Sequence, residues 1–344
     1  MALQASGGIS LSELATEFND TQPNNMSEFY RGGDRVPSVN TSVPTAGLVN
    51  LTDFYNCVNE IGVTAANATN VSLASAFSSN WTVNVPKRYT VPNGVTIGGT
   101  GGSAAITCES NMAGTLIIEV TGSVIGTGGA AGGAGGDAIA NAVAGVTLTV
   151  NNNGLVAGGG GGGGTGGTGG QGSYSSSSTP SWSGTYRWMS YNGSSASSTG
   201  NRQVAQWAGQ YVVNQYTTAL SIGQYSRSSY VTITGSIRQY RITRTTTNYS
   251  TGGSGGAGGV GQGYNQTNAS GVAGSSGGTN SGAGGTGGSG GTYANVGGTG
   301  GIGANGNYTN GAAGSSGGGA GAAVSGTALA AYTNNGTVNG SVST

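Results

Sequence analysis

The residues best suited to chemistry lie between 173 and 250, where arginine, tyrosine and tryptophan are concentrated. This stretch holds six arginines, nine of the sixteen tyrosines and three of the four tryptophans. Sugar rings stack on aromatic faces, and arginine binds phosphate or carboxylate groups in two-pronged fashion. The sequence therefore predicts a binding surface for a surface glycan or another protein. The alternative is that these aromatics form the core and cross-strand pairs of a small β-domain.

Charge is divided along the chain in a way that supports a binding role. All ten acidic residues lie at or before Asp137 with four basic ones, a net charge of −6, and the six arginines that follow have no acid among them, a net charge of +6. This asymmetry indicates an anionic partner for the later part. Arginine without lysine favours a surface glycan or outer-membrane protein, and we expect no nucleic-acid partner. The residues predicted to contact the receptor are Tyr186, Arg187, Tyr191, Arg202, Arg227, Arg238 and Arg241.

Catalysis is disfavoured by the residue types that are missing. The chain has no histidine, the commonest general base and the usual member of nucleophilic triads. A glycosidase needs two carboxyl groups flanking its bond, and no acid follows Asp137. Gly132–Ala140 matches the calcium-binding nonapeptide once, with one carboxylate where calcium wants six or more oxygens. We expect no enzyme activity, no metal site and no cofactor. Cys57 and Cys108 are predicted to be separate buried thiols, with a disulfide as the alternative.

The elements that position this surface begin with a helical region over residues 1–63. Ser10–Phe18 has a Ser-x-x-Glu capping box and apolar residues at helical spacing. Met26–Tyr30 and Leu51–Tyr55 each read apolar, hydroxyl, acid, Phe-Tyr, which predicts two capped helical turns held by aromatics. Such turns are compatible with a docking role. The docking residues are predicted to be Leu11, Leu14, Phe18, Phe29, Tyr30, Phe54 and Tyr55.

Short strands with glycine corners follow over residues 64–157. Leu116–Val120 and Val146–Val150 are β-branched runs of strand length. The pattern G-x-V-x-G follows strand-like stretches at Gly122, Gly154 and Gly336, which is typical of stacked rungs in a parallel β-solenoid. Because the third copy comes some 180 residues after the second, we expect Ala328–Ser341 to return to the stack.

Glycine supplies 74 of the 344 residues and is concentrated in 158–172 and 251–321. G-G-x triplets suit the polyglycine II helix, which has three residues per turn and no internal hydrogen bonds, and which must therefore pack beside others. The alternative is a flexible linker. Because Ala, Val, Thr, Asn and Tyr interrupt the glycines rather than Pro, Glu or Lys, we expect both tracts to be ordered and packed together.

Two resemblances follow from these motifs. Ser10–Phe18, Ser27–Gly33 and Leu51–Tyr55 resemble the opening of a family of tailed-bacteriophage virion proteins, with SLS-x-(I/L)-x-x-EF, SLS-E-(Y/F)-Y-x-GG and SL-x-x-FY turns. The glycine-rich texture is similar to that of the distal tail-fibre adhesins of T-even-like phages. Such a resemblance implies a sandwich of polyglycine II helices whose connecting loops recognise the host. The chain departs from those adhesins in its opening and in having one long aromatic insert.

The predicted fold is mainly β, and six regions follow from the patterns. They are a helical virion-docking region (1–63), β-solenoid rungs (64–157), a glycine tract (158–172), a Tyr/Trp/Arg-rich β insert (173–250), a polyglycine II region (251–321) and a C-terminal strand returning to the solenoid (322–344). The predicted function is a non-enzymatic tail-fibre or tail-tip adhesin, synthesised in the host cytoplasm. We expect it to bind other virion proteins and to form a homo-oligomer, a trimer by analogy with fibres. The alternative is a structural fibre or decoration protein without a receptor role.

Overall fold

The computed structural model describes the backbone of residues 3–18, 26–32, 35–37, 40–178, 189–190, 204–207, 210–213, 225–234 and 237–344, and the side chains of these residues except Ser27 and residues 178–245. Within these ranges the chain is mainly β, with parallel sheets and two short α-helices, which confirms the predicted fold class at this level. In the described part of the chain, no helix is long and apolar enough to cross a membrane.

The N-terminal unit (residues 3–57 of those described) begins with helix α1 (Leu11–Glu17). The N-cap Ser10 hydroxyl accepts a hydrogen bond from the Glu13 amide at 3.2 Å, and the Glu13 carboxylate accepts one from the Ser10 amide at 2.7 Å. This capping box satisfies donors that the start of a helix leaves unpaired, and the sequence predicted it. The 3-10 turns Met26–Phe29 and Leu51–Phe54 follow α1.

Three phenylalanine rings form the centre of the N-terminal unit. Phe18, Phe29 and Phe54 lie with ring centroids 6.2–6.3 Å apart in tilted and edge-on arrangements. Such pairs add about 0.5–1.5 kcal/mol each beyond the area that they bury. Each motif contributes one ring, so the aromatics of three separate turns hold one small core together.

The described residues contain twenty β-strands, numbered here in chain order. They are β1 (Ile61–Thr64), β2 (Ala68–Thr69), β3 (Val71–Ser72), β4 (Lys87–Val91), β5 (Thr96–Gly98), β6 (Ile106–Cys108), β7 (Leu116–Val120), β8 (Ser123–Ile125), β9 (Ile139–Asn141), β10 (Val146–Val150), β11 (Leu155–Ala157), β12 (Gly172–Ser178), β13 (Met189–Ser190), β14 (Val204–Trp207), β15 (Gln210–Val213), β16 (Tyr225–Thr234), β17 (Ile237–Ser250), β18 (Val324–Gly326), β19 (Ala331–Asn334) and β20 (Thr337–Asn339). Helix α2 (Leu73–Phe77) and a 3-10 turn (Ser78–Thr82) follow β3.

Fourteen of these strands form three parallel sheets, which together we call the strand stack. The sheet orders are β1-β4-β7-β10-β19, β2-β5-β8-β11-β20 and β3-β6-β9-β18. Each of the first four circuits of the chain adds one strand to each sheet, and the last adds β19 and β20 to two of them, so equivalent residues align across circuits. One such column joins Tyr89, Ile118 and Leu148, all of which are buried. Alternate residues of β4, β7 and β10 are buried, and the enclosed aliphatic columns form the core.

Lys87 closes the corner where β4 begins. Its side chain is fully buried, and Nζ donates to the carbonyl oxygens of Val83 (2.7 Å), Val85 (3.1 Å) and Ala113 (2.6 Å). Burial lowers the pKa of Lys87, whereas the three carbonyl oxygens favour the charged ammonium. Three donor positions meet three acceptors, which is the satisfied arrangement that a buried lysine requires.

The connection from the second sheet to the third lengthens from one circuit to the next. It runs over 99–105 after β5, over 126–138 after β8 and over 158–323 after β11. The connections leave side by side, since the Gly99 amide donates to Ile125 and the Gly126 amide to Ala157. All of the glycine-rich connections therefore start at the same corner of the strand stack.

We call this glycine-rich structure the glycine array. It comprises a central segment (158–170), a hairpin (126–136) and four further segments with their connections: 252–262, 269–278, 282–291 and 295–321, the last of which folds back on itself near 307. Hydrogen bonds between segments recur every third residue. The amides of Gly160, Gly163, Gly166 and Gly169, for example, donate to Gln262, Gly259, Gly256 and Gly253. An extended chain rises about 3.1–3.4 Å per residue, so the central segment is about 40 Å long.

The central segment is bonded to neighbours on every side along its first half. Gly159 and Gly162 approach the hairpin so closely that a Cβ would lie 1.7 Å from the carbonyl oxygens of Thr127 and Ala130. Past the end of the hairpin, the equivalent positions are Thr165 and Thr168, and both are exposed. Seven consecutive glycines thus occur where three faces are covered, and the pattern becomes G-G-T where one face is open to solvent.

The chain then returns to the strand stack. The Asp137 carboxylate accepts hydrogen bonds from the Ala322 amide (2.7 Å) and the Ser325 hydroxyl (2.5 Å). The buried Asn141 side chain donates to the carbonyl oxygen of Thr327 at 2.7 Å. These bonds fix β18 beside β9, after which β19 pairs with β10 and β20 with β11, all in parallel.

Candidate functional site at the far end of the glycine array

The insert leaves the glycine array at the end farthest from the strand stack. Here β12 pairs with β17 antiparallel, from Gly172 opposite Ser250 to Ser178 opposite Arg244. Strands β16 and β13 also pair with β17, and β14 pairs with β15. The described backbone of the insert is thus an antiparallel ribbon, a different architecture from the parallel stack that carries it.

The structure describes the backbone of three of the predicted receptor-binding residues, and the other four lie outside the described residues. Tyr186, Arg187, Tyr191 and Arg202 lie outside the described residues, as do Trp182 and Trp188. Arg227 lies on β16, and Arg238 and Arg241 lie on β17, where the structure describes the backbone alone. Their role as receptor contacts therefore stays a prediction.

Two loops of the glycine array meet the root of this ribbon. The Asn307 side chain accepts from the Ser173 amide at 2.6 Å and donates to the Ser173 carbonyl at 2.9 Å. The Asn280 side chain donates to the same carbonyl at 3.0 Å, and the Asn307 amide donates to the carbonyl of Asn280. Ser250 contacts the Asn280 loop through hydrogen bonds to Thr279 and Ser281. We call this region the far end, consisting of residues 170–174, 248–251, 278–281 and 305–309.

Two tyrosines lie exposed on the far end. The rings of Tyr249 and Tyr308 have centroids 4.6 Å apart and are tilted by 54°. They are 58% and 55% exposed, although each is a large apolar side chain. A hydrogen bond with Tyr308 raises the pKa of the Tyr249 hydroxyl. This pair is not apparent from the sequence, because the two tyrosines are 59 residues apart. An available signal was Tyr308 itself, in the Asn-Gly turn sequence NGNYTN.

The predicted docking residues are brought together in the N-terminal unit, but most of them face inward. Leu14, Phe18, Phe29 and Phe54 are buried in one core. Tyr30 is half-buried and donates to the Gly47 carbonyl at 2.6 Å, and the Tyr55 hydroxyl donates to Gly7. Leu11 is 39% exposed.

The outer surface of the N-terminal unit carries other apolar side chains, which do not belong to the predicted docking residues. Leu48 is 81% exposed and Leu51 is 37% exposed. Beside α1 lies a pocket of about 280 Å³ lined by Leu3, Gln4, Ile9, Ser12, Glu13, Thr16 and Glu17. A partner could therefore touch Leu11, Leu48 and Leu51, whereas the four buried residues would act by holding the unit in shape.

The residues considered for metal and redox chemistry have structural roles. The Asp137 carboxylate accepts a hydrogen bond from the Ala322 amide, where the chain returns to the strand stack. The described residues contain no cluster of three or more groups suited to a metal ion. Cys57 and Cys108 are both free and buried, as predicted. Burial raises the pKa of the Cys108 thiol to about 12, so that this thiol stays protonated and unreactive at neutral pH.

Comparison with known proteins gives two matches of different kinds. The family model of the phage tail fibre adhesin Gp38 matches residues 59–237. The crystal structure of the gp37-gp38 adhesin tip complex of the bacteriophage S16 long tail fibre is similar over 98% of this chain and 99% of that chain, at 14% sequence identity and a TM-score of 0.39. No curated protein matches the chain.

Proposed function

Because this chain belongs to the phage tail fibre adhesin Gp38 family, we propose that its receptor-binding surface is the far end of the glycine array together with the ribbon insert. The protein is a receptor-binding adhesin of a phage tail fibre. The observation that carries the proposal is the convergence of the insert and two array loops about 40 Å from the strand stack. Recognition surfaces are commonly loops held by a rigid scaffold.

The scaffold consists of two parts in this proposal. We interpret the strand stack as a parallel β-solenoid stem and the glycine array as packed polyglycine II helices. Support comes from the three parallel sheets with aligned columns, and from hydrogen bonds that recur every third residue between glycine segments. A rigid support lowers the entropy that a binding loop loses on contact with a receptor.

The insert supplies the charged part of the recognition surface. Its six arginines are the only charged residues after Asp137. We propose that Tyr186, Arg187, Tyr191, Arg202, Arg227, Arg238 and Arg241 contact anionic and apolar groups of the receptor. Binding is non-enzymatic, which agrees with a chain that lacks histidine and has no acid beyond Asp137.

The N-terminal unit is the part that we propose for attachment to the virion. Its support is that three large apolar side chains, those of Leu11, Leu48 and Leu51, are exposed on one small unit with a compact aromatic core, where they are available for a protein contact. The partner would be another fibre protein. Association of this chain into a homo-oligomer, with a trimer as the predicted form, is a separate prediction that the solution mass of the purified protein tests.

The test of the receptor surface is a virion whose fibre carries a shortened insert. Residues 179–243 are replaced by Asn-Gly, which leaves the paired root from Gly172 to Ser178 and from Arg244 to Ser250 in place. We expect normal particle assembly and loss of adsorption to the host. In the matched control, residues 265–268, in a connection at the stack side of the array, are replaced by glycine and serine, and adsorption is retained. Normal adsorption by the shortened fibre would refute the proposal and favour a structural role.

A further inference from the structure

We propose that Tyr249 and Tyr308 form a stacking platform for the ring of a neutral sugar. The inference rests on the proposed function, because it places the platform on the receptor-binding far end. The two rings are adjacent, more than half exposed, and contributed by elements far apart in the sequence. Folding thus brings Tyr249 and Tyr308 together. Neither belongs to the buried core, since both side chains are more than half exposed.

The support beneath the platform is rigid. Tyr249 lies on β17 opposite Ser173, so both side chains share one face of the ribbon. Ser173 is clamped by Asn307, the residue before Tyr308, through bonds of 2.6 and 2.9 Å. The amide of Tyr308 donates to the Gln171 carbonyl at 3.2 Å. Both tyrosines are therefore held by the same short stretch of chain, Gln171 to Ser173, and a ligand that stacks on them would require little reordering.

The described surroundings of the two rings favour a neutral ligand. No charged residue occurs after Arg244 in the sequence, and Arg244 is five residues from Tyr249 along an extended strand, roughly 17 Å. The loop around Tyr308 is Asn, Gly and Thr. A neutral hexose has an apolar C–H face for an aromatic ring and hydroxyl groups for polar neighbours, and it needs no counter-charge.

A protein partner fits these two rings less well. Stable protein interfaces bury about 800 Å² on each side, with an apolar centre that excludes water. In the described loops 278–281 and 305–309, Tyr308 is the sole aromatic residue, and its neighbours are Gly, Asn, Ser and Thr. Two rings within a polar, uncharged surface match the size of one sugar ring better than the centre of a protein interface.

The test uses purified full-length protein with methyl glucoside, methyl galactoside and methyl mannoside as separate probes. We expect saturation-transfer NMR to show binding of at least one hexoside through its ring C–H groups. Tyr249→Ser and Tyr308→Ser should each weaken binding about tenfold, whereas Tyr308→Phe, which keeps the ring, should bind within about threefold of the wild type. Tyr174→Ser is the matched control, because Tyr174 is exposed on β12 but faces the opposite side of the ribbon.

The hexoside experiment tests the sugar platform separately from the adsorption experiment, which tests the receptor-binding surface. Absence of binding for all three hexosides, or equal binding by Tyr308→Ser and the wild type at unchanged thermal stability, would overturn the sugar platform. Loss of adsorption on shortening the insert would in that case still support the far end as the receptor surface. If hexoside binding instead depends on both tyrosines while the shortened fibre adsorbs normally, the platform is a sugar site and the proposed receptor surface is wrong.

Discussion

The strand stack and the glycine array are both built from extended segments lying side by side, yet they are ordered by opposite means. In the stack, side chains such as Ile118 and Leu148 fill an enclosed core. In the array, the segments approach until a Cβ at Gly162 would lie 1.7 Å from a neighbouring carbonyl oxygen. The stack gains from the apolar area that it buries, whereas the array gains from hydrogen bonds between closely packed backbones.

This difference explains how one chain orders two such unlike compositions. Fixing a residue costs about 1–2 kcal/mol of backbone entropy, and glycine loses more freedom than any other residue. The central segment offsets that cost because its amides and carbonyls bond to the hairpin and to the segments 252–262, 282–291 and 295–321. Removing a side chain should therefore damage the stack, and adding one should damage the array.

The largest effect is expected in the stack. Ile118→Ala removes a fully buried side chain and should lower the free energy of unfolding by about 4 kcal/mol through lost burial and a cavity. The neighbour Ile117 faces outward on the same strand, and Ile117→Ala should cost about 1 kcal/mol. Equal losses in urea unfolding would show that the enclosed column is not what stabilises the stack.

The reverse substitution tests the array. Gly162→Ala should lower the free energy of unfolding by about 3 kcal/mol, because the new methyl group meets the Ala130 carbonyl. A methyl group added at Gly319 would have no neighbouring atom within 4 Å, so Gly319→Ala should change stability by no more than about 1 kcal/mol. Thermal unfolding of both variants measures the difference, and a tolerated Gly162→Ala would contradict the close packing.

A pH-dependent effect is expected from the buried thiol of the stack. Because the pKa of Cys108 is raised to about 12 in the folded protein, the folded state keeps a proton that the unfolded state releases near its ordinary pKa of about 9. Stability is then unaffected below pH 9 and falls between pH 9 and 12. Relative to Cys108→Ala, the wild type should lose about 2 kcal/mol between pH 9 and 10.5. A constant difference in urea unfolding across this range would oppose this assignment.

The smallest effect is expected at an open face of the array. Thr168 occupies the position equivalent to Gly162 but lies past the hairpin and is exposed. Thr168→Ala should change the free energy of unfolding by less than about 0.5 kcal/mol. Chemical unfolding that shows a loss as large as that of Gly162→Ala would mean that coverage by the hairpin does not determine where glycine is required.

Much of the stack could be predicted from the sequence because its signals are local. The predicted strands Leu116–Val120 and Val146–Val150 are β7 and β10 with unchanged bounds. Local patterns could not reveal Lys87 as a buried residue, since its three acceptors come from two separate loops. The strands of the third sheet, such as β3 with two residues, are too short for a periodic signal.

The candidate site was less accessible from sequence. The concentration of arginine and aromatic residues selected the insert, but the Tyr249–Tyr308 contact depends on how distant glycine segments fold together. The motifs at Met26–Tyr30 and Leu51–Tyr55 were correctly predicted as short helical turns, yet composition alone could not separate the buried Phe29 and Phe54 from the exposed Leu48. Hydrophobic periodicity and capping motifs predict helices and strands, whereas the exposure of a side chain depends on which helices and strands pack against it.

Amide hydrogen exchange in the intact protein tests whether the glycine array is rigid, as the proposed binding role of the far end requires. Peptides covering 158–170 should exchange as slowly as those covering β7 and β10, because nearly all of their amides donate hydrogen bonds to neighbouring segments. In 252–262 the amides of Gly253, Gly256 and Gly259 should be protected for the same reason. Exchange of both glycine peptides at the rate of an unstructured chain, while β7 and β10 stay protected, would show a flexible tether and contradict a rigid array.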